Sequence, residues 1–173
     1  DVIGGVICGK TSSEPSCPCE DDVDSTQVRL FSFGGFNSKW KQLARFLKLQ
    51  YQEELLPNVK VPMQLTIMTL EDRQGRGGDH IPFRRNGFAS MRFTSANEHG
   101  NVDVTDPDYT DRQHTSDDIL GVDTDNDNII DSFFVDFNYL ARNAVINGVG
   151  ASMAALGPKT PDLNLSVFHG RRL

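Results

Sequence analysis

The chain has 173 residues, which is enough for one domain or a large part of one and for a sizeable core. It is 38% hydrophobic and 24% charged, as soluble globular proteins are. Its formal net charge of -7 argues against a nucleic-acid partner, because phosphate binding needs a basic face. No stretch approaches the roughly 20 apolar residues that span a bilayer, so no membrane partner is predicted. The segment Asp1–Gly5 lacks a basic region and is not predicted to be a signal peptide.

Three cysteines, Cys8, Cys17 and Cys19, lie near the start of the chain. A zinc knot would lack a fourth local ligand, a single disulfide would leave one thiol over, and free thiols in an exposed loop are the third alternative. A disulfide would join Cys8 to Cys17 or Cys19, because a bridge across one residue is strained. The cysteines favour a secreted or periplasmic protein.

Apolar spacing in the first half of the chain predicts alternating strands and helices. The run Val2–Cys8 is typical of a strand end that feeds a polar loop. Alternation over Thr26–Phe33 predicts a strand. Apolar residues from Trp40 to Leu55 recur at helical spacing, with Ser38 as a candidate N-cap and Pro57 as the stop.

The second half continues this alternation. Strands are predicted at Pro62–Leu70, Phe88–Thr94 and Leu163–Phe168. The region Ser95–Asp131 is polar and predicts a long loop, and loops of that length are usually functional or disordered. Helical spacing from Phe134 to Ala155 ends at a Gly-Pro pair. The alternation predicts an α/β sandwich with a largely parallel sheet.

Two clusters carry candidate chemistry. Asp79 and His80 follow a strand and a glycine-rich loop, and ligand sites of parallel α/β sheets lie beyond the carboxyl ends of the strands. His114 lies in the long polar loop among carboxylates and hydroxyls that could support a metal ligand. Taken alone, an Asp-His pair is more often a surface or capping arrangement, and a loop histidine is more often solvated.

Five separated segments, in the same order, resemble the second half of the zinc-dependent M28 metallopeptidases. These segments are Asp1–Gly4, Asp79–Phe83, Gly87–Thr94, His114–Asp118 and Val135–Arg142. The resemblance implies an aminopeptidase-like three-layer α/β sandwich with a mostly parallel sheet, whose N-terminal half is missing. Residues 1–173 would then be the C-terminal part of a single catalytic domain.

The resemblance also implies roles for individual residues. Asp1 and His114 match metal ligands of a site that holds two zinc ions. Asp79 matches a residue close to the metals and is expected to orient a ligand or the substrate amine. Arg76 lies where some relatives carry an arginine that holds substrate, which makes Asp79 and Arg76 the candidate catalytic residues. Gln113 stands where many relatives carry an aromatic side chain.

The family's upstream half supplies several residues of the metal site, and none of them precedes Asp1 in this sequence. These are a histidine, a bridging aspartate and a Glu-Glu pair that includes the general base. Glu53 and Glu54 lie late in a predicted helix and are expected to be solvated. Two ligands cannot hold two zinc ions tightly, because catalytic zinc normally has three protein ligands.

The expected activity is therefore zinc-dependent aminopeptidase cleavage of N-terminal peptide bonds in the intact parent protein, with the chain alone inactive. The expected partners are a peptide substrate and either the upstream half of the same domain or a second copy of the chain.

A second cation site is predicted independently of zinc. Four carboxylates occupy positions 1, 3, 5 and 9 of a calcium-loop pattern: Asp123, Asp125, Asp127 and Asp131. Asn128 stands where glycine is preferred, and Phe134 at position 12 excludes a true EF-hand. The alternative is an acidic turn before a helix N-terminus, where negative charge is favoured.

Two other functions fit the same residues. The segment Asp79–Phe83 also resembles glutaminyl cyclases, which tend to have tryptophan where this chain has Gln113. The third hypothesis is a non-catalytic domain that keeps the fold for binding.

Overall fold

The computed structural model of the protein describes residues 3–6, 23–73, 75–96, 105–110 and 112–157. The predicted ligand Asp1, the three cysteines and the predicted strand at Leu163–Phe168 lie outside the described residues.

Three of the predicted strands form one sheet, in the order β2-β1-β3. They are β1 (Gln27–Phe31), β2 (Gln64–Ile67) and β3 (Arg92–Ser95). β1 is parallel to β2 and antiparallel to β3, so the α/β class is confirmed while the described sheet is mixed rather than mostly parallel. A helical crossover between β1 and β2 permits the parallel pair, and β3 enters at the other edge of β1 in the opposite direction. The three-layer arrangement stays a prediction.

The first predicted helix is confirmed and has three parts. A short 3-10 turn, Lys39–Lys41, leads into α1 (Gln42–Gln50), which continues through the wider turn Tyr51–Leu55. The predicted cap is present, since the Ser38 hydroxyl accepts a hydrogen bond from the Lys41 N–H at 3.3 Å. After these three parts a separate 3-10 turn, Leu56–Asn58, holds Pro57, whose missing N–H does not allow a regular helix to continue.

Two further helices follow, α2 (His80–Arg85) and α3 (Phe137–Leu156). α3 begins later than its apolar spacing predicts, because the Asp136 side chain accepts a hydrogen bond from the Tyr139 N–H at 2.9 Å and caps the helix there. None of the described helices combines the length and the apolar composition that crossing a membrane requires.

The long polar loop contains a hairpin that the sequence pattern does not reveal. Its strands are β4 (Gly121–Val122) and β5 (Ser132–Phe133), paired antiparallel on either side of the acidic segment. Strands of two residues are too short to show alternation.

The core lies between the sheet and the helices α1 and α3. Its members are buried apolar side chains from all three strands and both helices: Val28, Leu30, Ala44, Leu47, Tyr51, Met63, Leu65, Phe93, Tyr139 and Ile146. The Tyr139 hydroxyl donates to the Gln27 carbonyl at 2.5 Å and accepts from the Ala96 N–H at 3.2 Å. Burial raises the pKa of this phenol. Tyr139 thereby joins α3 to the start of β1 and the end of β3.

The segment 3–6, which follows the predicted ligand Asp1, is anchored to α3. The Asn143 side chain donates to the Ile3 carbonyl at 2.9 Å, and the Asp136 N–H donates to the Gly4 carbonyl at 3.0 Å. The described part of the predicted strand end is irregular rather than a strand. Its position against the start of α3 is nevertheless set by these two hydrogen bonds.

Candidate active site

A buried ionic cluster lies beneath the turn that precedes α2. Asp72 and Arg92 are 7% and 6% exposed, and Nη1 of Arg92 lies 3.1 Å from each carboxylate oxygen of Asp72. The Arg73 N–H also donates to Asp72, at 2.7 Å. Asp72 and Arg92 are 20 residues apart in sequence, so the pair connects the turn to the first residue of β3.

His80 is buried, and hydrogen bonds to other segments hold it in place. Its side chain is buried, and Nε2 lies 2.8 Å from the Glu71 carbonyl oxygen. Since a carbonyl only accepts, this contact assigns the ring proton to Nε2. The Ser90 hydroxyl donates to the His80 carbonyl at 2.7 Å. Among the described residues, Nδ1 of His80 has no hydrogen-bond partner.

Asp79, in contrast, is exposed at the N-terminus of α2 and accepts no capping hydrogen bond. It lines a cleft of about 390 Å³ together with His80 and Ile3. The cleft has apolar walls from α1, α3 and β3 and the residue before β3: Leu43, Leu47, Met91, Phe93, Ala151 and Ala154. The structure thus places the predicted catalytic carboxylate in one cleft with the segment that follows the predicted ligand Asp1.

Arg76 contacts the loop that carries His114. Its Nη2 donates to the Tyr109 hydroxyl at 2.7 Å, and its guanidinium carbon lies 5.4 Å from the centre of the Tyr109 ring. Sequence reasoning missed Tyr109, although a lone aromatic residue in a polar loop is a signal that could have found it. This contact joins the turn before α2, which contains Arg76, to the long polar loop that contains Tyr109 and His114.

His114 is exposed and sits in a local turn. Its backbone is in the left-handed region with φ 64°, which is uncommon for a residue other than glycine. Its N–H donates to the Asp118 carboxylate at 3.2 Å, and the Thr115 N–H donates to the Arg112 carbonyl at 3.1 Å. These bonds define the turn and leave the imidazole facing solvent.

The described residues do not by themselves complete a zinc site. Within the described ranges, the one group of three potential ligand side chains is in the acidic loop, and His114 is not part of such a group. Catalytic zinc needs three protein ligands, and the second predicted ligand, Asp1, lies outside the described residues. His114 would therefore need ligands from beyond the described part of the chain.

The acidic loop brings three of the four predicted calcium ligands together. Asp123, Asp125 and Asp131 each place a carboxylate oxygen within 4.8 Å of the others. Asp127 is not in this group, and its carboxylate accepts the Ile129 N–H at 2.8 Å.

The carboxylates of this loop also organise its backbone. Asp123 accepts the N–H groups of Asn126 and Asn128, both at 2.7 Å. Burial raises the pKa of Asp123, but backbone N–H donors together outweigh it and hold that pKa below the usual value. Hydrogen bonds from Thr124 lower the pKa of Asp131. Asn128, which stands where glycine is preferred, has a left-handed backbone conformation with φ 69°.

A buried lysine joins the carboxyl ends of two strands and was also missed by sequence reasoning. Lys41 is 1% exposed, and its Nζ donates to the Ser32 carbonyl and, at 2.7 Å, to the Met68 carbonyl. Burial lowers the pKa of this amine. Lys41 thereby holds together the carboxyl ends of β1 and β2, and the chain continues from the end of β2 into the turn before α2.

The chain is similar in sequence to proteins named as zinc metalloproteases. A probable zinc metalloprotease of Leptosphaeria maculans is 33% identical over 123 residues, which are 69% of this chain and 24% of that protein. Another, of Pyrenophora tritici-repentis, is 36% identical over 86 residues, 46% of this chain and 19% of that protein. A third, of Pyricularia oryzae, is 29% identical over 169 residues, 91% of this chain and 30% of that protein.

No protein-family model and no solved structure matches the chain. The chain spans less than a third of the length of each of these three relatives. The similarity is consistent with a family of zinc peptidases, without specifying the type of peptidase.

Proposed function

We propose that this chain is part of a zinc-dependent aminopeptidase of the M28 type, which removes N-terminal residues from peptides. Two things support the proposal: relatives named as zinc metalloproteases, and five segments that resemble that family in order. Because the chain spans less than a third of each of those three relatives, the activity is proposed for the complete polypeptide that carries this sequence.

The observation that carries the proposal is the cleft shared by Asp79 and Ile3. The Asp79 carboxylate is exposed at its edge, and a carboxylate in that position can pair with the free α-ammonium of a peptide. Recognition of a free ammonium distinguishes an aminopeptidase from an enzyme that cleaves within a chain. Arg76, bonded to Tyr109, would hold the substrate from the neighbouring loop.

In this proposal Asp1 and His114 are metal ligands of a two-zinc site. The remaining ligands and the general base come from the rest of the domain. Zinc, when bound, polarises a carbonyl and lowers the pKa of water. The described residues contribute recognition through Asp79 and Arg76 and one imidazole through His114.

The surface of α3 supports a partner that completes the domain. In the 20 residues of this helix, Arg142 is the one charged side chain, while Phe137 and Val145 are half-exposed. Large apolar side chains that are exposed on a helix mark a candidate contact surface. We therefore propose that the upstream half of the same domain, or a second copy of the chain, covers α3. A secreted or periplasmic location remains a prediction from the cysteines and the calcium-like loop.

We also propose that the acidic loop binds calcium through Asp123, Asp125 and Asp131, whose carboxylates already lie together. Calorimetric titration with calcium chloride should show binding that Asp125→Asn weakens and that Asp117→Asn, outside the loop, leaves unchanged. Absence of both heat and a shift in melting temperature would rule the site out.

The peptidase proposal is tested by zinc analysis and by hydrolysis of leucine p-nitroanilide with the complete polypeptide. We expect about two zinc ions per molecule and turnover. His114→Ala should lower both, whereas Gln113→Ala at the adjacent position should keep the zinc. The 173-residue chain alone should show no turnover.

Other outcomes separate the alternatives. Release of ammonia from peptides with N-terminal glutamine, without peptide cleavage, would indicate a glutaminyl cyclase. A complete polypeptide with neither zinc nor turnover would indicate a non-catalytic domain.

A further inference from the structure

We infer that Asp72, Arg92, His80 and Ser90 form a positioning network that fixes the Asp79 carboxylate at the cleft and so sets selectivity for a free α-ammonium. The inference rests on the role of Asp79 in the proposed function. Asp72, Arg92 and Ser90 have no role assigned from the sequence, and His80 takes a positioning role here, since its buried ring is held by the backbone behind Asp79.

The network holds the backbone on both sides of Asp79. Before it, Nη1 of Arg92 donates to the Gly77 carbonyl at 3.2 Å. After it, the His80 ring binds the Glu71 carbonyl and the His80 carbonyl accepts from Ser90. Asp79 itself accepts no capping hydrogen bond. Its backbone is therefore fixed while its carboxylate stays available.

Close packing also restricts the turn before Asp79. A Cβ atom added at Gly78 would lie 3.1 Å from Nδ1 of His80 and 3.3 Å from the Arg92 side chain. Both of these side chains are about nine-tenths buried or more and are held by partners on other segments. The turn before Asp79 therefore has little freedom to shift as long as His80 and Arg92 keep their positions.

Replacement of a buried ion pair by apolar side chains of the same volume is often neutral or stabilising, so stability alone gives little reason for a charged cluster at this turn. The location of the cluster directly beneath an exposed carboxylate is what connects it to recognition.

The test is a selectivity ratio in the complete polypeptide. It compares kcat/KM for leucine p-nitroanilide with kcat/KM for the same anilide lacking the amino group. A general loss of structure lowers both values, whereas a displaced Asp79 lowers only the first. Ser90→Ala and Gly78→Ala should each reduce the ratio by about tenfold or more, since small misplacements of binding groups have effects of that size. The loss should appear mainly in KM.

Matched controls isolate the network. Ser152→Ala removes an equivalent serine-to-carbonyl hydrogen bond of 2.8 Å within α3 and should leave the ratio unchanged. Ser90→Thr keeps the hydroxyl and should restore the ratio. Thermal melting of each variant confirms that it is folded.

Asp79→Asn separates this inference from the proposed function. If Asp79→Asn leaves the ratio intact, the proposed role of Asp79 is wrong and the network has no such function. If Asp79→Asn abolishes the ratio while Ser90→Ala and Gly78→Ala preserve it, Asp79 recognises the ammonium and the positioning network is disproved.

Discussion

Arg92 and Asp72 form a buried ion pair in which one guanidinium nitrogen lies 3.1 Å from both carboxylate oxygens. The pair ties the turn before α2 to the start of β3. Its stability contribution can be measured separately from its proposed role in selectivity.

Asp72→Ala should lower the free energy of unfolding by about 3–5 kcal/mol, because removing one member of a buried ion pair leaves the other in a poorly solvated place. Urea denaturation measures this value. Asp117→Ala, at an exposed carboxylate, should change it by less than about 0.5 kcal/mol. Equal stability of the two variants would show that the ion pair does not hold the turn.

Lys41→Met should also destabilise the protein. The substitution removes the amine that donates to the Ser32 and Met68 carbonyls and leaves two buried acceptors without it. Each lost partner costs about 1–3 kcal/mol. Lys48→Met, at a partly exposed position of α1, is the control for loss of a lysine charge. This account would be contradicted if the melting temperature of Lys41→Met equalled or exceeded that of Lys48→Met.

Two glycines of α3 should respond oppositely to alanine. A Cβ at Gly150 would overlap the Leu47 side chain, whereas a Cβ at Gly148 would meet nothing within 4 Å. Gly148→Ala should gain about 1 kcal/mol from helix propensity. Gly150→Ala should lower the free energy of unfolding by about 1–3 kcal/mol through overpacking, and the gain in helix propensity offsets part of this loss. The melting temperatures of the two variants test the close approach of α1 and α3, and a gain at both positions would argue against it.

Acid should disorder the acidic loop at a pH below the usual aspartate range. The pKa of Asp131 in the folded protein is held below its unfolded value of about 3.9 by hydrogen bonds from Thr124. Its stabilising contribution is therefore present above that pH and is lost as the pH falls through the folded pKa. Titration of the Asp131 carboxyl carbon by NMR gives the pKa, and the Thr124 amide signal should shift with it. Titration at or above the ordinary value would refute the assignment.

Local patterns in the sequence were enough to predict several elements and candidate groups. Alternation predicted β1, helical spacing predicted α1 and α3, and the Asp-rich spacing placed three carboxylates in one loop. Each of these depends on residues close together in the chain, so the period of the backbone determines them. The candidate pair Asp79–His80 was also found from its position after a strand.

Tertiary structure decided what local patterns could not. It separated the members of the Asp-His pair, with His80 buried and Asp79 exposed, and it set β3 antiparallel to β1. It also joined Arg76 to Tyr109 across 33 residues of sequence. Polar groups far apart in the chain form specific hydrogen bonds and ion pairs when packing removes them from water, because a buried group without a partner costs free energy. That choice depends on the whole fold, so no window of sequence contains it.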